Sequence, residues 1–267
     1  MSHFEQFTPI LRDSTISLSG TDLPKELLLS SEGSVQTFYA PFDYINTNAR
    51  ITICGITPGR QQAVNALSEA RKQLKSGASI EEARRKAKET ASFSGPMRNN
   101  LIAMLDHIGI PKLFGIDSCA RLFDTHTHLV HYTSALRYPV FVNGANYSGS
   151  PSMLAQKSMR MQVEMHLAEE VKTLANNCLY VPLGPKVAEA LEHLQRQGLL
   201  TPEQVLAGLP HPSGANAERI SYFLGRKARE HVSAKTNAEV LDAARTQLCA
   251  KVSSIAAQGL QGSRITL

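Results

Sequence analysis

Ile51-Thr52-Ile53-Cys54-Gly55-Ile56-Thr57-Pro58-Gly59-Arg60 reads as a short buried strand running into a tight loop. A strand covered on both faces shows an unbroken apolar and β-branched run rather than alternation. Gly55, Pro58 and Gly59 then punctuate the chain, and Gln61 to Leu67 begins a helical segment. A second passage has the same form. Val205-Leu206-Ala207-Gly208-Leu209-Pro210 leads into His211-Pro212-Ser213-Gly214-Ala215-Asn216, with a helical segment after it. Ligands of open α/β sheets bind outside the carboxyl ends of parallel strands. The two loops are therefore expected to face one cleft.

Working outward, residues 129–142 read as a strand region broken by Pro139, and 178–183 as a further strand. Helices are predicted over 79–91, 96–108, 164–176, 187–197, 217–230 and 238–250. Ser79 serves as N-cap of the first, with Glu82 three residues on. Strand and helix alternate, which predicts an α/β fold with a parallel sheet and helices on both faces. The length of 267 residues suits one domain. Residues 1–48 form a lead-in of short helices and turns, and 226–267 a C-terminal helical extension. Residues 143–151 form a polar loop long enough to touch a ligand. The basic run Arg84-Arg85-Lys86-x-Lys88 reads as a solvated face.

The composition is that of a globular protein, 42% hydrophobic and 19% charged, with a net charge of +5. That balance weakly favours a polyanionic partner. No stretch approaches the ~20 apolar residues of a membrane span. Neither a secretory signal nor a disulfide framework is apparent, and a cytoplasmic location is expected. The four cysteines form no close pair, so no zinc site is expected. His126, His128 and His131 lack the acidic or thiol partners of a metal centre.

Several residues could carry chemistry. His211 stands at a strand end and could donate a hydrogen bond to charge developing on a leaving group. Gly55, Pro58 and Gly59 suit close approach of a ligand to the backbone, and the following helix would aim free N–H groups at an anion. No Gly-Lys-Ser/Thr follows, which excludes a Walker loop. Ser213 and Asn216 could bond a DNA phosphate or cap the next helix. Phe93 could stack on a base or anchor the core. Asp124 could orient a water or sit in a solvated turn.

Gly-x-x-Pro-Gly after the first strand and His-Pro-Ser-x-x-Asn near the last together resemble the uracil-DNA glycosylase superfamily. The likeness extends to Phe93-Ser94-Gly95-Pro96 before a helix and spans roughly residues 40–225. It implies a three-layer αβα sandwich with a central four-stranded parallel sheet. It implies hydrolysis of the N-glycosidic bond of a base flipped from DNA, without cofactor, by a monomer. His211 would stabilise the departing base. Gly55, Ile56, Thr57, Pro58 and Gly59 would position water and sugar, Phe93 would stack, and Tyr132 and Thr133 lie where the base is read. Arg60, Ser213, Asn216 and Arg219 would contact DNA. Thr57 stands where many members carry Asp or Asn; its hydroxyl could still orient water, water activation could pass to Asp124, or the reaction could be nearly dissociative. Gly59 stands where the uracil-selective branch carries Tyr, so a 5-modified pyrimidine could enter. Some bacterial antiviral relatives remove hypermodified phage cytosines. The cysteine spacing does not match the iron–sulfur branch. The alternative is a catalytically silent nucleic-acid binder on the same fold. A serine hydrolase is disfavoured, since no Gly-x-Ser-x-Gly elbow occurs.

Overall fold

The computed structural model describes residues 3–18, 23–93, 95–174 and 176–262. Ser94, within the quoted Phe93–Pro96 motif, lies outside them, as do residues 263–267 of the extension. The chain opens with α1 (His3–Arg12), then β1 (Leu28–Glu32), β2 (Val35–Phe38) and β3 (Ile51–Gly55). Three helices follow, α2 (Arg60–Lys75), α3 (Ile80–Ala91) and α4 (Pro96–His107), then the short α5 (Pro111–Phe114). After two 3₁₀ turns come β4 (Val130–Ser134), β5 (Val140–Val142) and β6 (Ala145–Asn146). Next are α6 (Lys157–Met161), a π-helical stretch (Gln162–Leu167) and α7 (Ala168–Thr173). The chain ends with β7 (Leu179–Pro182), α8 (Pro185–Arg196), α9 (Ala217–Phe223) and α10 (Ala238–Gly262).

The parallel sheet has the order β4-β3-β7, with Gly55 opposite Ser134 and Ile51 opposite both Val130 and Leu179. The expected four regular strands become three. Residues 205–209 run alongside β7 but pair only through parallel bridges at Tyr180–Val205 and Leu183–Leu209. The Leu206 N–H reaches the Tyr180 carbonyl at 2.7 Å. Gly208, at φ +127, bends this segment where a Cβ would lie 3.0 Å from Ala244. α10 packs closely against that glycine at the point where the ladder is interrupted.

β3 alternates between two cores, as its period of two requires. Ile51 and Ile53 pack with Leu101, Leu105, Phe223 and Leu248 from α4, α9 and α10. Cys54 packs on the other side with Val163, Val171 and Leu191 from the π-helical stretch, α7 and α8. Helices thus cover both faces of the parallel sheet.

A second, antiparallel sheet of order β1-β2-β5-β6 was not anticipated. The break at Pro139 sends the expected strand region into both sheets. β4 stays parallel, whereas β5 pairs with β2. Asn143 and Gly144, at φ +51 and +74, form the two-residue turn between β5 and β6. Asn-Gly is the residue pair that such a hairpin favours. A third core joins α1, α2 and α3 to this sheet through Phe4, Leu67, Tyr39 and Phe141.

Ser79 caps α3 as expected, its hydroxyl accepting the Glu82 N–H at 3.2 Å. The basic run on α3 is not a uniformly solvated face. Arg85 pairs with Glu82 and Glu89, and Lys88 is buried. No helix among the described residues is long and apolar enough to cross a membrane.

Candidate functional site

A cavity of about 290 Å³ opens at the carboxyl ends of β3 and β4, where the loop 55–59 and the loop carrying His211 meet. The sequence-derived residues Gly55, Ile56, Thr57, Pro58, Gly59, Phe93, Tyr132, Thr133, His211 and Ser213 all line it. Their convergence follows from topology. Parallel strands end on the same edge, so loops far apart in sequence share one cleft.

The wall is aromatic. A Cβ at Gly55 would lie 3.4 Å from the Phe93 ring, so the ring rests close against the backbone at that glycine. Phe93 adopts φ +48, a left-handed conformation uncommon for a bulky residue, and meets the Tyr132 ring edge-on at 5.8 Å. The Tyr132 hydroxyl donates to the Leu122 carbonyl at 2.9 Å, and its ring stacks on Phe123. Burial pushes its pKa up, and the hydroxyl stays protonated. Next to it, Thr133 buries its Oγ1 with no hydrogen-bond partner among the described residues.

His211 also lines the cavity and is half-buried. Its Nδ1 accepts the Ser213 N–H at 3.3 Å. Burial lowers its pKa, so the neutral imidazole prevails and the proton resides on Nε2. The ring is a hydrogen-bond donor fixed in one tautomer by its own loop. Such a donor stabilises a developing oxyanion.

Thr57 has a different environment from the one its loop position suggested. Its hydroxyl donates to the Tyr138 carbonyl and accepts the Val140 N–H, both at 3.1 Å. It fills the gap that Pro139 leaves in the backbone bonding between the two sheets, and one lone pair remains. Asp124 is exposed and is not among the cavity-lining residues. It precedes the amino end of β4, whereas the cavity lies at the carboxyl end. No Asp or Glu lines the cavity among the described residues.

The four expected DNA contacts divide. Ser213 reaches the cavity. Asn216 donates to the Ser213 hydroxyl at 3.2 Å and accepts from Arg219 at 2.8 Å, and Arg219 also donates to the Lys235 carbonyl. These two brace the loop from outside the cavity. Arg60 lies over the Phe141 ring at 4.4 Å and donates to the Gly144 carbonyl at 2.7 Å, holding the β5–β6 turn.

Sequence reasoning missed a buried charge network behind the cavity. Arg137, which lines the cavity, donates from Nε to Glu170 at 2.7 Å and pairs with Glu169 at 3.1 Å. His131 shares Glu170 at 2.9 Å. Burial lowers the His131 pKa to about 4, with Lys88 adding to the shift, so His131 is a neutral donor. Burial would raise the Glu170 pKa, but Lys88 and Arg137 hold it well below the usual carboxylate range. Lys88 donates to the Tyr44 carbonyl at 2.7 Å, and burial pushes its pKa down to about 8. Asn146 and Gln62 also line the cavity. Asn146 belongs to the polar loop 143–151, which the sequence offered as a ligand contact, whereas nothing in the sequence singled out Gln62.

Over 229 residues the chain is 36% identical to a Bacillus subtilis (strain 168) protein described as "Uncharacterized protein YoxB", covering 85% of this chain and 90% of the relative. The chain belongs to the YoxB family. No family model matches it, and no solved structure does. In this YoxB-family chain the cavity combines an aromatic wall, a neutral imidazole donor and a compensated buried cation. That set suits a flat heteroaromatic ring on which negative charge develops.

Proposed function

We propose that the cavity receives a pyrimidine turned out of DNA and that the protein hydrolyses its N-glycosidic bond, leaving an abasic site. The observation that carries this reading is the convergence of the 55–59 loop and His211 on one cavity walled by Phe93. Helices on both faces of the parallel sheet, with residues 205–209 bridged to β7 as a fourth, irregular strand, support the three-layer arrangement of that superfamily. The expected cytoplasmic location and monomeric state belong to the same proposal.

The carbon–nitrogen bond breaks, water adds to the anomeric carbon, and the proton that water loses ends on the departed base anion. The bonding pair leaves with the base, whose oxygen takes the His211 Nε2–H hydrogen bond. With no carboxylate on the cavity wall among the described residues, departure of the base runs ahead of water attack. Thr57 positions the loop. The lack of a side chain at Gly59 supports a 5-modified pyrimidine as substrate, including the hypermodified cytosines of phage DNA.

A specific observation favours a second reading, a binder without turnover. The Thr57 hydroxyl is taken up by the backbone, and no carboxylate lines the cavity among the described residues. Oligonucleotides carrying uracil, 5-hydroxymethyluracil, or hydroxymethylated or glucosylated cytosine distinguish the two. Alkali-labile sites formed by the wild type and lost in His211→Ala, with DNA affinity kept, are expected. Absence of such sites with every base would leave the binder.

A further inference from the structure

Two primary amides flank Gly59 at the cavity, and both are locked the same way. The Gln62 Oε1 accepts the Gly59 N–H at 3.0 Å, and the Asn146 Oδ1 accepts the Arg60 N–H at 2.9 Å. These backbone donors at the start of α2 fix which end of each amide is oxygen. Both NH₂ groups, Gln62 Nε2 and Asn146 Nδ2, are left without a partner among the described residues, and both side chains line the cavity. A Cβ at Gly59 would lie 3.6 Å from the Asn146 amide, so the hairpin amide stands directly over the glycine. A third unspent polar group, the Thr133 hydroxyl, is buried in the same cavity.

We propose that Gln62 and Asn146 form a subsite for a neutral, hydroxyl-bearing substituent attached to the bound base, such as hydroxymethyl or a sugar. This rests on the base-binding reading above and names the substrate class within it. Amide N–H groups suit neutral oxygen acceptors, whereas anionic groups are usually met by charge-assisted donors such as arginine. Arg137, the arginine of this cavity, is already compensated by Glu169 and Glu170. The preorganised amides lose little freedom on binding. Asn146 is exposed and Gln62 half-buried, so water meets these donors when the substituent is absent, and the preference equals the net worth of the hydrogen bonds exchanged for those to water.

The test compares affinities, which need no turnover. Single-stranded oligonucleotides carrying one cytosine, 5-hydroxymethylcytosine or glucosylated 5-hydroxymethylcytosine are titrated by fluorescence anisotropy into wild type and Asn146→Ala. The wild type is expected to favour the hydroxylated bases by about tenfold or more, the worth of one to two hydrogen bonds. Asn146→Ala should lose most of that preference while its affinity for plain cytosine stays within about twofold. Gln62→Ala should lose a further part. Equal wild-type affinity for all three bases, or a preference that survives both variants, overturns the subsite. A preference lost in Asn146→Ala in a protein that excises no base sustains the subsite and removes only the catalytic reading.

Discussion

Glu170→Gln should cost about 3 kcal/mol of folding stability at pH 7. The carboxylate accepts from Arg137 at 2.7 Å and from His131 at 2.9 Å, with Lys88 contributing a further charge. All four side chains are at most 5% exposed, so water cannot replace what is removed. Breaking a buried ion pair from one side costs about 3–5 kcal/mol. Glutamine keeps the volume and one acceptor, and Arg137 keeps Glu169, which places the cost at the lower end. The cost depends on pH with a definite sign. The folded-state pKa of Glu170 is depressed, so its stabilisation is complete above the unfolded value of about 4.3 and is lost as pH falls toward the folded value. The gap between wild type and variant should narrow by about 1.4 kcal/mol per pH unit below about 4.3. Lys88 acts at the other end. Its pKa is lowered to about 8, so the unfolded chain binds more protons from there to about 10.4, and stability rises with pH across that window. Without the attraction of Glu170 the window opens at a lower pH. Urea unfolding followed by circular dichroism between pH 3 and pH 10 measures both effects. A cost below about 1 kcal/mol at pH 7, or a gap that does not narrow in acid, would refute the assignment of Glu170 as the counter-charge of this network.

Three further outcomes are expected. Thr57→Val leaves the Val140 N–H without its acceptor and should destabilise the fold by about 1–3 kcal/mol, measured by thermal unfolding, while single-turnover excision changes by less than about tenfold. Asp124→Asn, exposed and away from the cavity, should leave excision within about twofold, and a loss of about a hundredfold would return it to the chemistry. Burial lowers the His211 pKa, so the neutral ring persists as pH falls. Single-turnover rates should therefore stay flat from pH 8 down through about 6.5, the ordinary imidazole value, and a fall centred there or higher would contradict the assigned tautomer.

The parallel sheet and the two facing loops were legible because local sequence dictates them. Ile51 to Gly55 is apolar, short and closed by glycine, and residues 205–211 repeat that form. The antiparallel sheet was not legible. β1, with no fully buried position, offers no hydrophobic period, and its pairing with β2 is set by tertiary contact. Residues 205–209 look like a regular strand, and the close approach of α10 to Gly208, which coincides with the break in the ladder, comes from a helix distant in sequence. The charge network could not be read either. Lys88, His131, Arg137 and Glu170 lie on four segments, and each alone resembles a surface residue. Asp124 illustrates the converse. It is near β4 in sequence, but the direction of the strand carries the cavity to the other end.

The junction between the sheets gives the molecule an internal reporter. The Val140 amide is protected by a side-chain hydroxyl on the 55–59 loop rather than by a backbone carbonyl. Its hydrogen–deuterium exchange therefore follows the parting of that loop from the β5–β6 hairpin, a local opening that need not involve global unfolding. Any molecule that seats in the cavity and draws the loop and hairpin together should slow exchange at this one amide. Its occupancy could then be timed without a label, a chromophore or a chemical reaction.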